Sequence, residues 1–283
     1  SQGDHIVITE DVYGGTYRLV TKLLPRYGIT HTFVDCADLA AVEAAIQPNT
    51  KVLFIETPSN PTLKITDIRS IVAIAKKHNL KTFLDNTFMT PIHQRTIDMG
   101  VDVVIHSATK FLSGHSDIIA GVVATNDAQL AQEIYTIQNS CGTALGVQDC
   151  YTLIQNIKTM GVRFEAETKS AQKLAAFLDA HDKVEYVYYP GLPSHPGYNI
   201  HNSQCTSPGA VLSFRLKDYA AAKAFAEATT IPVFAVSLGG VESILSYPAK
   251  MSHAAMEPEE RAKRGITDGL LRMSVGLENI DDL

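Results

Sequence analysis

The chain has no tryptophan, which excludes no class of protein, but its other scarcities are informative. Its four cysteines, Cys36, Cys141, Cys150 and Cys205, are scattered without CxxC spacing, so neither a zinc site nor a disulfide framework has a basis here. Reduced thiols in a cytoplasmic protein fit that usage. Charged residues make up 19%, below the typical quarter or so, and the net charge of −6 offers no basic footprint for nucleic acid or an anionic membrane. No apolar run approaches the roughly 20 residues of a membrane span. The opening Ser1-Gln2-Gly3-Asp4 does not read as a signal peptide. There is no internal repeat and no low-complexity segment. No GxGxxG follows an apolar run, so a dinucleotide site lacks its fingerprint.

What is present is a core-forming chain of 283 residues, 45% apolar, enough for one large or two modest domains. Up to about residue 155, short β-branched runs alternate with amphipathic stretches. Strands are expected at His5 to Ile8, Lys51 to Glu56, Lys81 to Asp85, Val101 to His106 and Ile118 to Thr125. Helices are expected from Thr16 to Leu24, stopped near Pro25, and from Thr66, as cap, through His78. This βαβα order predicts an α/β fold, a mostly parallel sheet with helices on both faces. From about Gly146 the pattern turns helical, with a long stretch from Arg163 to His181. A Pro/Gly-rich patch (189–197), a strand at Ala210 to Leu216, a helix from Asp218 to Ala228 and an apolar run at Leu270 to Val275 follow. The division expected is a large domain over residues 1–155 and a smaller α+β domain over 156–283. The run at residue 5 reads as an interior strand, and Glu278 to Leu283 as the capped opening of a helix, so the chain reads as a fragment.

The most informative segment is Ser107-Ala108-Thr109-Lys110-Phe111-Leu112-Ser113-Gly114. A lysine beside two hydroxyls at the carboxyl end of a buried strand suits an aldehyde cofactor that also carries a phosphate. The amine condenses with the aldehyde, and Ser107 and Thr109 donate to phosphate oxygens. A surface lysine in a Ser/Gly loop is the alternative. Ligands of doubly wound sheets bind outside the carboxyl ends of the strands, where Glu56, Asp85, His106 and the Thr9 to Gly15 segment also fall. A carboxylate at Asp85 needs a cation or several donors, and a protonated pyridine nitrogen is such a cation. The alternative is an aspartate capping the Asn86-Thr87 turn. Tyr13, before Gly14-Gly15, offers a face for a flat cofactor, or a core ring. Asn60 sits in a Ser-Asn-Pro turn. Arg272, amid Leu270 to Val275, requires an anion: a substrate carboxylate held bidentately, or a structural ion pair. Ser237-Leu238-Gly239-Gly240 is a turn suited to lining the same cleft, and His115 reads as structural.

Taken together, DVYGGTYR (11–18), ETPSNPT (56–62), DNTF (85–88), HSATKFLSGHSD (106–117), SLGGVES (237–243) and GLLRMSVGLE (269–278) resemble the cystathionine lyase and synthase family, the Cys/Met-metabolism group of fold type I pyridoxal-phosphate enzymes. They occur in family order across essentially the whole chain. The resemblance implies pyridoxal 5′-phosphate as cofactor, with Lys110 as its covalent anchor and Asp85 as partner of the pyridine nitrogen. It makes Tyr13 the stacking ring and a proton carrier, Ser107 and Thr109 the phosphate-binding hydroxyls, and Asn60 a neighbour of cofactor ring and substrate. Arg272 matches the carboxylate-binding arginine, with Ser237 and Ser252 lining the substrate side. It also implies a small amino-acid substrate and a homotetramer of two catalytic dimers. The family's N-terminal arm is missing from this chain and its final helix is cut short, which leaves phosphate binding and the shared site in question.

Within the family the activity is harder to read. Methionine γ-lyases commonly carry cysteine where Gly15 stands, and some γ-lyases carry glutamate where Val236 stands. The segments around Cys141 and Tyr247 look more like bacterial cystathionine lyases. The expectation is a cystathionine lyase, γ ahead of β, with side activity on cysteine and homocysteine. Cystathionine γ-synthase and a non-catalytic truncated fragment are the alternatives.

Overall fold

The computed structural model describes residues 1–252, 254 and 258–283. Among them, two sheets form. The first contains β1 (His5–Thr9), β2 (Thr30–Val34), β3 (Thr50–Glu56), β4 (Lys81–Asp85), β5 (Val103–Ser107) and β6 (Gly121–Ala124), in the order β2-β1-β3-β4-β5-β6. Its first five members are parallel, and β6 closes one edge antiparallel to β5. The α/β class read from the sequence therefore holds, and β1 lies in the interior of the sheet.

Alternate side chains of these strands serve opposite faces. Val7, Leu53, Ile55, Leu84 and Val104 meet Ile68, Ile71, Val72 and Ala75 of the Ile68–Lys77 helix. Those four helical positions recur at the spacing of one buried stripe, and a fully buried isoleucine there contributes about 2 kcal/mol. On the opposite face Ile8 packs with Val12 and Val20. Beyond it, Ala108, Leu112 and Ile118 pack with Leu153 and Met160.

The second sheet contains β7 (Val184–Tyr188), β8 (Val211–Leu216), β9 (Val233–Phe234), β10 (Ile244–Ser246) and β11 (Leu270–Ser274), in the order β7-β8-β11-β10-β9. Its core joins Leu212, Phe214, Leu245, Leu271 and Met273 to Ala171, Leu174, Ala175 and Leu178 of the Met160–Asp179 helix. That helix thus packs against both cores. Ser213 Oγ donates to Pro61 O at 2.6 Å and Val241 N to Gly114 O at 2.9 Å. These bonds bring β8, with Arg272 of β11 beside Ser213, and the 237–241 turn against the carboxyl ends of β3 and β5.

Several local expectations shift. Asp67, not Thr66, caps the Ile68–Lys77 helix: its carboxylate accepts from Ser70 N at 3.0 Å, while Thr66 N is spent on Thr57 Oγ1. The first helix begins at Gly14 and passes through a π turn (Leu19–Leu23) into a 3-10 turn (Leu24–Tyr27). Pro25 sits in the first turn of that last segment, where a missing N–H costs nothing, so it does not end the helical path. The edge strand starts at Gly121 rather than Ile118, because Ala120 is tied to Thr109. The long helix runs Met160–Asp179 and stops before His181. Unforeseen were β2, whose THTFV pattern is too polar to read as a strand, and the Ala128–Cys141 helix, capped by Asp127.

Glu167, on the long helix, is fully buried, and neither carboxylate oxygen has a hydrogen-bond partner among the described residues. Burial pushes its pKa up to about 8, with Arg163 opposing the rise and Glu278 adding to it. The folded chain therefore holds this proton more tightly than the unfolded chain, where the ordinary value is 4.5. The stability so contributed is present below that value and is lost as pH rises to about 8. Glu167→Gln, neutral throughout, is expected to unfold like the parent at the acid end. At the alkaline end it should be more stable by on the order of 4 kcal/mol. Urea midpoints across that range measure the difference, and parallel curves would contradict it.

Candidate active site

The carboxyl ends of β1, β3, β4 and β5 converge on one cleft, lined among others by Tyr13, Glu56, Asn60, Asp85, Ser107 and Lys110. Its enclosed part is small, about 60 Å³, and it opens to the surface at Tyr13, which is 58% exposed. A larger cavity of about 470 Å³ lies in the second sheet's layer, lined by Tyr219, Phe234, Tyr247 and Lys250, and gathers none of the residues named from the sequence.

Lys110 follows β5 in a tight helical turn. Its amide donates to Ser107 O at 3.2 Å, and Gly114 N closes the turn onto Lys110 O at 2.7 Å. Gly114 has φ +73, and a side chain there would collide with the Arg163 guanidinium. That guanidinium, nearly buried, donates to Phe111 O and Ser113 O at 3.3 Å and fastens the loop by its carbonyls. The Lys110 Nζ donates to Ser237 Oγ at 2.7 Å. Burial, and then the nearby Arg272 cation, push its pKa below the usual lysine range. An amine held toward neutrality is a better nucleophile and base.

Asp85 and Glu56 face each other across the β3–β4 register. Asp85 Oδ1 accepts from Thr87 N at 3.0 Å and from Thr87 Oγ1 at 2.6 Å. The turn-capping alternative is therefore realised, but on one oxygen only, which leaves Oδ2 for a cation in the cleft. Burial raises the Asp85 pKa and the Thr87 bonds pull it back. Thr87 Oγ1 also accepts Ser107 N at 2.8 Å, so one hydroxyl links the ends of β4 and β5. Glu56 Oε2 accepts Tyr13 N at 2.8 Å. Burial, Asp85 and Asp11 together push the Glu56 carboxyl well above its ordinary range.

Arg272 is 3% exposed on β11. Nη1 donates to Asn60 Oδ1 at 2.8 Å, and Nη2 to Ser237 O at 2.6 Å and Ser246 Oγ at 3.1 Å. Among the described residues no carboxylate lies within ion-pair distance, so the structural ion-pair alternative has no partner. Desolvation lowers its pKa to about 10, which leaves it a cation in need of an anion at neutral pH. Ser237, with φ +86, occupies a strained conformation for a residue with a side chain and turns both its carbonyl and hydroxyl to this site.

The structure thus gathers Lys110, Asp85, Tyr13, Ser107, Asn60, Arg272 and Ser237. Thr109 stands apart: its hydroxyl accepts from Ala120 N at 3.0 Å and donates to Ala120 O at 3.4 Å. Ser252 is exposed, with its carbonyl near Gly14. His115 Nδ1 bonds Ser113 O, a structural use. Glu56 and Thr87 were not singled out as site residues by the sequence reading. Glu56 had the same signal as Asp85, an acid ending an apolar run. Among the described residues no cluster is placed to hold a metal ion. A half-buried, depressed-pKa amine, a carboxylate with an open oxygen, a strand-end serine and an exposed aromatic face match the donor set for an aldehyde cofactor with a cationic ring and a phosphate.

A family model described as Cys/Met metabolism PLP-dependent enzyme matches residues 1–283. Cystathionine beta-lyase MetC of Bacillus subtilis (strain 168) is 60% identical over all of this chain and 73% of its own length. Cystathionine gamma-lyase of the same organism is 48% identical over all of this chain and 75% of its own. A crystal structure of cystathionine gamma-lyase from Lactobacillus plantarum complexed with L-serine superposes with a TM-score of 0.96 at 43% identity, covering all of this chain and 74% of that one.

Proposed function

Since the chain belongs to the Cys/Met-metabolism family of pyridoxal-phosphate-dependent enzymes, we propose that it is a carbon–sulfur lyase that splits cystathionine, by β-elimination first and by γ-elimination second. The observation that carries the lyase reading is the pairing of Lys110 with Arg272 across Ser237: a proton-accepting amine beside a buried guanidinium with no ion pair among the described residues. The sequence put γ ahead of β. The 60% identity to a β-lyase, against 48% to a γ-lyase, supports the reverse order.

When bound, pyridoxal phosphate supplies an aldehyde for covalent attachment and a ring that takes up the charge left when a carbon loses its proton. The chain's own residues do the rest. Ser107 would donate to the phosphate, and Thr109 would join it only by giving up its bonds to the Ala120 backbone. Asp85 keeps the ring nitrogen protonated, and Tyr13 covers the ring face. Arg272 takes the substrate carboxylate on its fork, with Asn60 and the Ser237 carbonyl fixing the guanidinium plane and Ser252 bordering the substrate side. Lys110 Nζ removes the α-proton, for which its depressed pKa suits it. β-Elimination needs no further proton from carbon. γ-Elimination needs one from the β-carbon as well, with Lys110 and Tyr13 as carriers.

Product analysis decides among these outcomes. β-Cleavage of cystathionine yields homocysteine, pyruvate and ammonia, and γ-cleavage yields cysteine, 2-oxobutyrate and ammonia. Cystathionine formed from an activated homoserine and cysteine would instead indicate the synthase. No turnover by a cofactor-loaded preparation would end the lyase reading.

Arg272→Lys is expected to raise KM for every amino-acid substrate and lower kcat/KM by roughly thirtyfold, about 2 kcal/mol, because one ammonium cannot reproduce two parallel bonds. Unchanged kinetics would assign Arg272 to fold alone. We further place the enzyme in the cytoplasm as a homotetramer. Tyr135, Ile137, Val147, Tyr151 and Ile154, each more than half exposed on two consecutive helices, support self-association. Sedimentation as a monomer at micromolar concentration would contradict that assembly.

A further inference from the structure

Glu56 ends β3 as Asp85 ends β4, and the register sets the two opposite each other on neighbouring parallel strands. Glu56 is 6% exposed. Its Oε2 accepts the Tyr13 amide at 2.8 Å, at the residue that caps the Gly14–Arg18 helix. The cap has no side-chain hydrogen bond of its own. Among the described residues no lysine, arginine or histidine pairs with Glu56. The charged groups that act on it are Asp85, from β4, and Asp11, from the segment after β1. Both are acids. Lys64, paired with Asp11, is shared with Glu10 and Asp35, Arg264 also acts on Asp11, and Lys110 lines the same cleft but bonds Ser237. An ionised Glu56 would thus be a buried anion facing two others with one backbone N–H as its support. A proton removes that cost and leaves the acceptor oxygen in place.

We propose that Glu56 is a positioning residue that works as a neutral carboxylic acid: it hangs the Tyr13 turn from the end of β3 and leaves Asp85 as the single charged carboxylate facing the cofactor ring. The proposal rests on the pyridoxal-phosphate lyase reading and adds a residue to it. The device uses one acid in two capacities. A second anion beside Asp85 would compete for the ring cation, whereas an apolar residue at position 56 would release the Tyr13 amide.

The test compares Glu56→Ala, Glu56→Asp and Glu56→Gln in the full chain, by steady-state kinetics on cystathionine and by titration of the apoprotein with pyridoxal phosphate, followed by visible absorbance. Glu56→Ala loses the acceptor, and kcat is expected to fall on the order of tenfold or more as the Tyr13 ring drifts, with weaker cofactor binding. Glu56→Asp keeps the acid but falls short of the Tyr13 amide and should resemble the alanine variant. Glu56→Gln keeps both acceptor and neutrality and is expected to recover most of the loss in both measurements. A glutamine variant as impaired as the alanine variant would overturn the proposal, since it would show that the ionised or proton-donating group is what matters. So would an aspartate or alanine variant indistinguishable from the parent. Failure of the parent itself to bind the cofactor or turn over would instead count against the lyase reading, so the two outcomes are separable. Should the alanine variant not fold, the aspartate and glutamine pair carries the comparison.

Discussion

Lys110→Ala is expected to lose turnover by roughly a thousandfold or more while remaining folded, since on the proposed reading it removes both the covalent anchor and the base that takes the α-proton. The side chain contributes little to the core: its turn is held by backbone bonds and by Arg163, none of which the substitution touches. Among the described residues the amine's one hydrogen bond is to Ser237 Oγ, a hydroxyl that solvent can satisfy. Borohydride treatment of the cofactor-loaded parent, followed by peptide mapping, should place the pyridoxyl group on Lys110. A label on another lysine, or near-parental turnover in the alanine variant, would refute the assignment.

Asp85→Asn is expected to lower kcat on the order of a hundredfold or more, with a far smaller effect on folded yield. On the proposed reading Asp85 would balance a protonated ring nitrogen with its charge, which a neutral amide could not do. The amide's oxygen can still accept the two Thr87 bonds that hold the β4 end. Charge and turn geometry are thereby separated in one substitution. Cofactor content by absorbance and kcat on cystathionine measure the two. Comparable cofactor content with near-parental turnover would reduce Asp85 to the turn cap it also is.

How much of this was legible beforehand depended on the kind of signal. Strands flanking the cleft were readable because parallel strands are buried on both faces, so Lys51 to Glu56 and Lys81 to Asp85 stand out as apolar runs ending in an acid. The polar β2 strand and the antiparallel partners of the second sheet lack that contrast. Lys110, Asp85 and Ser107 were legible because each marks the end of such a run. That Arg272 has no counter-ion among the described residues was not, since it depends on which groups the β10–β11 pairing brings beside it. Nor was the fate of Thr109: its spacing puts a hydroxyl one residue from the lysine, but the Ala120 backbone, brought back by the edge strand, competes for it. Glu56 was visible as a residue and invisible as a role, because its significance arises from the neighbouring strand.

The fastening of the Lys110 loop has a consequence for how the enzyme moves. Both ends are sewn down, by the β5–β6 ladder at Ser107 and Gly121 and by the guanidinium under Gly114. Yet on the proposed reading the amine at its centre changes partners within every catalytic cycle. With the backbone clamped, that travel falls to rotation about the methylene stem of one side chain. The moving part of this machine is a tether on a fixed post, so amide hydrogen exchange in the loop should stay slow whether or not substrate is being consumed.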